Sequence, residues 1–364
     1  MDNWNDVRIK SVFKDGDISC YKLDGGNLIN QYYVVSDPDT SRLMDSPEVV
    51  GYNVYNCLLP ASRRMMRFFK EQGQISSANV LSILRGALNY PMEESCYCEH
   101  IPVHDISFLS SERVFFNNEI TGLEIKYSKL AMVPDSTLMI GDIIATGDTL
   151  RKCLEYVIAH YRKHGCKLRN IIIFTIGGTN GIKFMEEMTQ ELRHFWPEFE
   201  GFIGVYYGGV FNCYKDRGLT GIQVVDVDFR WADGIISPEY RKTTLDDTDA
   251  KFEKCTIYDG GARRYEIADH IEEVSEYWED MHKRAMLIDI KELTDERLGY
   301  KTPIEFDAWI EQNHYQELDR EEMKALYQCE LDFLQRVRVS GLNIKDLAEK
   351  RLLEFHAAMK VYML

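Results

Sequence analysis

The chain has 364 residues, 45% of them hydrophobic and 28% charged, with a formal net charge of −16. That length supports a sizeable core and points to two domains, and the apolar content excludes wholesale disorder. The acidic balance excludes a broad nucleic-acid surface, which would need clustered Lys and Arg, and leaves only a local basic patch at Arg63, Arg64, Arg67 and Lys70.

No apolar run approaches the roughly 20 residues that span a bilayer. The polar start, Met1 to Trp4, does not read as a signal peptide. Nine scattered cysteines form no compact framework and suit reduced thiols, so a cytoplasmic protein is expected.

Residues 1–56 mix short strands, among them Tyr32 to Val35, with turns at Asp24-Gly25-Gly26 and Asp37-Pro38. A helix is predicted from Pro60 to Gln72, with Leu59, Met66 and Phe69 on one side. Asn79 to Leu84 reads as a buried strand ending in Arg85-Gly86. Apolar stretches around 101–109 lead into a polar, aromatic, turn-rich segment from Ser111 to Lys129.

Thr137 to Ile140 reads as a second buried strand, followed by Asp142, a turn of Ala145, Thr146, Gly147, Asp148 and Thr149, and a helix from about Leu150 to His164. Asn170 to Ile176 is a third strand, closed by Gly177-Gly178. A helix over 181–194 and a strand over 202–207 follow. Strands alternating with helices of this length imply crossover units and a parallel sheet. Ligands of such sheets bind beyond the strands' carboxyl ends, where Arg85, Asp142 and Gly177 all fall.

From about Ala262 helical periodicity replaces the strands. Ile267, Ile271, Val274 and Trp278 recur at helical spacing, as do Met323, Leu326, Leu331, Leu334 and Val337. Asn343 with Asp346 opens a last helix that carries Leu347, Leu352, Phe355 and Met359 on one side. Such stripes suit packing, with a protein partner or self-association as the alternative.

Two smaller clusters contain metal-ligating residue types. Cys96, Cys98, His100 and His104 suit either a Zn²⁺ site or packing on one face of a strand. His160 and His164 lie one turn apart near a helix C-terminus, a favourable place for histidines without a ligand.

The stretch from Thr137 to Leu150 is the most informative in the chain. Its turn sets backbone N–H groups and the hydroxyls of Thr146 and Thr149 at a helix N-terminus, where an anion is favoured. A carboxylate a few residues earlier suits sugar hydroxyls or hydrated Mg²⁺. The segment resembles the phosphoribosyl-pyrophosphate (PRPP) signature of the type I phosphoribosyltransferases. In that family a strand leads into two acids, two apolar residues and a Thr-Gly-x-Thr/Ser phosphate loop.

Asp142 matches the second acid, Ile143 and Ile144 the apolar pair, and Thr146 to Thr149 the loop. Arg85-Gly86 resembles the family's pyrophosphate loop, which often carries a special non-proline peptide. Gly141 stands in place of the first acid, Asp148 adds a charge to the phosphate loop, and Ala145 lacks the carboxylate of purine-specific members.

The resemblance implies an α/β phosphoribosyltransferase-type core over 57–240, preceded by a hood-like segment over 1–56 and followed by a helical domain over 241–364. It implies a flap hairpin, with Ser110, Ser111, Arg113 and Lys126 as candidate contacts by position. It implies Asp142 and Arg85 as catalytic residues and Asp142 as the ligand of Mg²⁺. PRPP or phosphate would bind at Ala145 to Thr149 and at Arg85-Gly86. Phe211, Tyr214 and Asp216, or Trp231, are candidates for holding a base.

The implied reaction transfers ribose 5-phosphate from PRPP to a nitrogenous base with release of pyrophosphate. A PRPP- or nucleotide-sensing module acting through a partner, or a nucleotide N-glycosidic hydrolase, are the alternatives.

Overall fold

The computed structural model describes residues 4–116, 119–214, 228–253, 267–339 and 341–362. The chain opens with three strands, β1 (Arg8–Asp15), β2 (Ile18–Asp24) and β3 (Gln31–Ser36), then α1 (Pro38–Asp45) and α2 (Tyr52–Glu71). β4 (Ala78–Leu84), α3 (Met92–Cys98), β5 (Val103–Phe116), β6 (Glu119–Lys129) and β7 (Ser136–Gly141) come next. Then α4 (Asp148–Lys163), β8 (Leu168–Gly178), α5 (Thr179–Phe195), β9 (Gly201–Tyr214) and β10 (Asp228–Ile236) complete the sheet region.

The remainder is helical: α6 (Pro238–Asp246), α7 (Thr248–Phe252), α8 (Ile267–Arg284), α9 (Ile290–Leu298), α10 (Phe306–Gln312), α11 (Arg320–Val339) and α12 (Ile344–Tyr362).

One sheet of 10 strands runs through the molecule in the order β1-β2-β3-β9-β8-β7-β4-β5-β6, with β10 paired to β9. The six strands from β3 to β5 in that order are mutually parallel. β1–β2–β3 and the hairpin β5–β6 are antiparallel extensions at the two edges.

Every residue of β7 is buried, and all of β8 but Arg169, as expected of parallel strands covered on both faces. Alternation then sorts side chains between two apolar layers. Ile172, Phe174 and Ile176 face the layer containing α2, while Ile171 and Ile173 face that of α4 and α5.

The structure differs from the sequence expectation at several places. α2 begins at Tyr52, two turns before Pro60, because Val54, Cys57 and Leu58 bury a face that outweighs the bond Pro60 cannot make. β9 runs to Tyr214 because β10 pairs with it. Cys96 and Cys98 lie on helix α3 rather than on a strand, and Cys96 is fully buried in the core. No group of three His, Cys, Asp or Glu positioned to hold a metal occurs among the described residues.

The divisions expected at 56/57 and 240/241 fall inside α2 and α6, and residues on both sides share the core. His314 accepts the Ile9 N–H at its backbone oxygen (3.2 Å), and its ring Nδ1 lies 2.8 Å from the Val7 oxygen. Tyr315 donates its hydroxyl to Ile236 O (2.6 Å). The connection between α10 and α11 therefore ties to both β1 and β10. Among the described residues no helix is long and apolar enough to cross a membrane.

Candidate functional site at the carboxyl edge of the sheet

β4 and β7 are neighbouring parallel strands, so their carboxyl ends open onto the same edge. After β4 the Leu84–Arg85 peptide is cis, and Gly86 starts a short 3₁₀ turn to Asn89. After β7 comes Asp142, whose backbone N–H donates to Phe174 O of β8 (3.1 Å). Asp142 Oδ1 accepts the Ile143 N–H at 2.9 Å.

These two loops touch. A Cβ built on Gly86 would lie 2.7 Å from Asp142 Oδ1, so glycine lets the Arg85 loop reach the carboxylate. Arg85 itself is exposed and has no ion-pair partner among the described residues.

The chain beyond Asp142 is tied to β8 by Ile144 N–H to Ile176 O (3.1 Å) and Gly178 N–H to Ile144 O (3.0 Å). That anchoring fixes where α4 begins. Its N-cap is Gly147, which offers no side chain to satisfy the first-turn N–H groups. Thr146 and Asp148 are exposed, and Ala145 and Thr149 half-buried. An uncapped helix start carries partial positive charge and free donors, the setting that takes a phosphate. The carboxylate of Asp148 is solvated there rather than buried.

Tyr90 accounts for the absence of an acid at 141. A Cβ on Gly141 would stand 2.3 Å from Tyr90 Cβ and 2.5 Å from Tyr90 Cγ, so the tyrosine fills that position. Tyr90 is buried, and its hydroxyl accepts a long bond from Ile176 N–H (3.4 Å). Nothing in the sequence around Tyr90 announces this contact, which joins residues 51 positions apart.

The candidate base residues divide. Phe211 is 1% exposed and packs edge-on against Phe229 and Tyr240, leaving no face free to stack. Trp231 is equally enclosed by Tyr240 and Lys251. Tyr214 is half-buried at the end of β9, with the Arg230 guanidinium 4.7 Å from its ring centre. Its neighbour Cys213 lies 3.5 Å from Ala145 O, which brings the end of β9 against the α4 turn. Asp216 lies outside the described residues.

On the β5–β6 hairpin, Ser110 pairs with Tyr127 and Ser111 with Ile125, and the Ser111 hydroxyl is 3.8 Å from Cys153 Sγ of α4. Lys126 pairs with Glu124 (2.7 Å), and the side chain of Arg113 lies outside the described residues.

The basic patch is neutralised locally. Arg63 (3.1 Å) and Arg67 (2.9 Å) both bind Glu99, and Lys70 donates to Glu99 O (2.9 Å). Burial alone would raise the Glu99 carboxyl, yet bonds from Arg67 and Arg63 leave it below its ordinary range. Arg64 pairs with Asp15 (2.7 Å) and lies over Phe13. The rings of His160 and His164 make only local bonds to Tyr156 O and His160 O.

No protein-family model and no curated protein matches the sequence. Among solved structures the chain is similar to a hypoxanthine phosphoribosyltransferase from Staphylococcus aureus, at 17% identity with a TM-score of 0.26. The match covers 35% of this chain and 64% of that one, so it spans less than two thirds of the neighbour's length.

Proposed function

We propose that this edge binds a phosphorylated ribose and that the protein is a phosphoribosyltransferase-like enzyme acting on PRPP. The observation that supports the reading best is the contact of Gly86 with Asp142 Oδ1, beside an uncapped α4. One crevice then offers an exposed guanidinium, a carboxylate and helix-terminal N–H donors, matched to pyrophosphate, ribose hydroxyls and 5-phosphate respectively.

In this reading the α4 turn, Ala145 to Thr149, holds the 5-phosphate through backbone N–H groups and the two threonine hydroxyls. Asp142 accepts from the ribose hydroxyls and orients C1 toward the incoming nitrogen. Arg85 and the Gly86 amide receive the charge that develops on pyrophosphate as the C1–O bond breaks. Catalysis is then positioning and electrostatics, with no covalent step for a side chain to perform.

One carboxylate fits Mg²⁺ only as part of a set completed by substrate oxygens and water, and the ion would offset pyrophosphate charge. Tyr214 and Asp216 are the candidates left to hold a base, since Phe211 is enclosed.

Tyr90 favours a second reading, a module that senses PRPP or nucleotide through its helical portion, because it removes one acid from the ribose site. Pyrophosphate release from PRPP and Mg²⁺, assayed with each common base, separates the two. Base-dependent release supports transfer. Tight PRPP binding without release supports sensing, and nucleotide consumption without PRPP supports hydrolysis of the glycosidic bond.

A further inference from the structure

A second polar centre lies away from the sheet edge, where β10, α1, α6 and α7 meet. A cavity of ≈ 20 Å³ there is lined by Asp45, Trp231, Tyr240, Lys251, Glu253 and Arg297, among others. Lys251 is 5% exposed, and its Nζ lies 3.0 Å from the centre of the Trp231 ring. It has no hydrogen-bond acceptor and no ion-pair partner among the described residues.

The same indole carries the Arg241 guanidinium, 4.6 Å from the ring centre. Arg241 is fixed by Glu330 (3.1 Å), Tyr300 (3.2 Å) and Tyr315 (3.3 Å) and stays charged at any working pH. Two cations sharing one buried ring repel, and only the lysine can shed its proton. Burial, then the charges of Arg241 and Arg297, accordingly push the Lys251 amine well below its ordinary range.

An uncharged amine that lines a cavity is a nucleophile toward what the cavity admits. The cavity selects the electrophile by size. It has room for about one or two water-sized molecules, too little for a sugar, a nucleotide or a cofactor aldehyde.

We infer that Lys251 is a carbon dioxide-binding residue, whose Nζ adds to CO₂ to form a carbamate in this cavity. The nitrogen lone pair forms the N–C bond while one C=O pair moves onto oxygen. The proton released from nitrogen passes by way of water to the Asp45 carboxylate, which lines the same cavity without bonding Nζ directly. Asp45 suits that part because burial raises it to about 7, with Tyr240 and Thr244 each donating a hydroxyl at 2.7 Å.

The product places a negative charge where the amine was. The guanidiniums of Arg241 and Arg297, which repel an ammonium at that position, attract a carbamate. The exchange turns an unfavourable local field into a favourable one.

The full chain equilibrated with ¹³C-bicarbonate tests this by ¹³C NMR, alongside mapping of potassium cyanate, whose acid is isoelectronic with CO₂ and modifies only neutral amines. The expected result is a carbamate resonance in wild type that is missing in Lys251→Met. It is also missing in wild type first treated with limiting cyanate.

Cyanate should modify Lys251 at pH 7 at least tenfold faster than Lys10, which Asp24 holds protonated. Because the reactive acid falls about tenfold per pH unit at fixed total cyanate, the Lys251 rate should fall about tenfold per unit between pH 7 and 9, while that of Lys10, whose neutral fraction climbs equally fast, should stay level. No resonance in wild type, a resonance that survives loss or blocking of Lys251, or a Lys251 rate that stays level with pH like that of Lys10 would overturn the inference. Cyanate labelling without a carbamate signal would overturn it too. The cyanate arm uses wild type alone, so a variant that fails to fold leaves the test intact.

Discussion

Tyr90 and Gly141 occupy one space: a Cβ at 141 would stand 2.3 Å from the Tyr90 Cβ. Both atoms are held by backbone, so neither can swing aside as the tip of a long side chain would. The edge beyond β7 thereby carries one carboxylate, Asp142, where the proposed reading would have two.

Gly141→Asp should destabilise the fold by about 2 kcal/mol or more, through overpacking and a buried carboxylate. Tyr90→Ala should cost about 3 kcal/mol by leaving a cavity. Urea denaturation of the double variant should show a smaller loss than the sum, by about 1 kcal/mol or more. Simple additivity would mean that the two residues do not contend for the same volume.

Gly86→Ala acts on the other close contact. Its methyl would meet Asp142 Oδ1 at 2.7 Å, and that atom, being on a side chain, can turn away. Stability should fall by only about 1 kcal/mol, whereas PRPP affinity should fall at least tenfold because the carboxylate leaves its position. Calorimetric titration beside thermal denaturation reads both quantities, and unchanged affinity would separate the Arg85 loop from the site.

Much of the sheet could be read from the chain because buried parallel strands leave continuous apolar runs, as in Leu138 to Ile140 and Asn170 to Ile176. The carboxyl-edge placement of Arg85 and Asp142 followed from that pattern. Tyr90 could not be read, since its role depends on a long-range approach to a glycine. Phe211 looked available for stacking because an aromatic after a strand carries no mark of burial, and β10 covers it. Glu330 falls on the apolar side of α11, where a charge reads as an interruption until Arg241 is placed opposite it. Lys251 and Asp45 are 206 positions apart in the sequence, and no local pattern joins them.

Glu330 accepts from Arg241 (3.1 Å), Tyr300 (2.7 Å) and Trp309 (3.1 Å) while 1% exposed. Replacing it with Gln leaves the Arg241 guanidinium buried without its counter-charge. Such a break should cost about 3 kcal/mol or more, read as a shift in the urea midpoint. A change within about 0.5 kcal/mol, as at ordinary surface positions, would show that the network carries no net stability.

Asp45 makes stability depend on pH with a sign opposite to that of exposed, paired carboxylates. Burial raises it from 3.8 to about 7 in the folded chain. The folded state therefore holds a proton that the unfolded chain has released. The stabilisation is complete below about pH 4 and is lost as pH rises toward 7. Relative to Asp45→Asn, wild type should lose up to about 1.4 kcal/mol per pH unit across that window. Urea denaturation of both proteins at pH 5, 6, 7 and 8 measures it, and a flat or rising difference would contradict the assignment.

The proposed phosphate cup and the carboxylate are tested together by isothermal titration of PRPP with Mg²⁺ into wild type and Asp142→Asn. A wild-type binding heat that weakens at least tenfold in the variant, with the fold unchanged by circular dichroism, is the expected result. Equal affinity in the two proteins, or no binding to wild type, would contradict a sugar phosphate held beside Asp142.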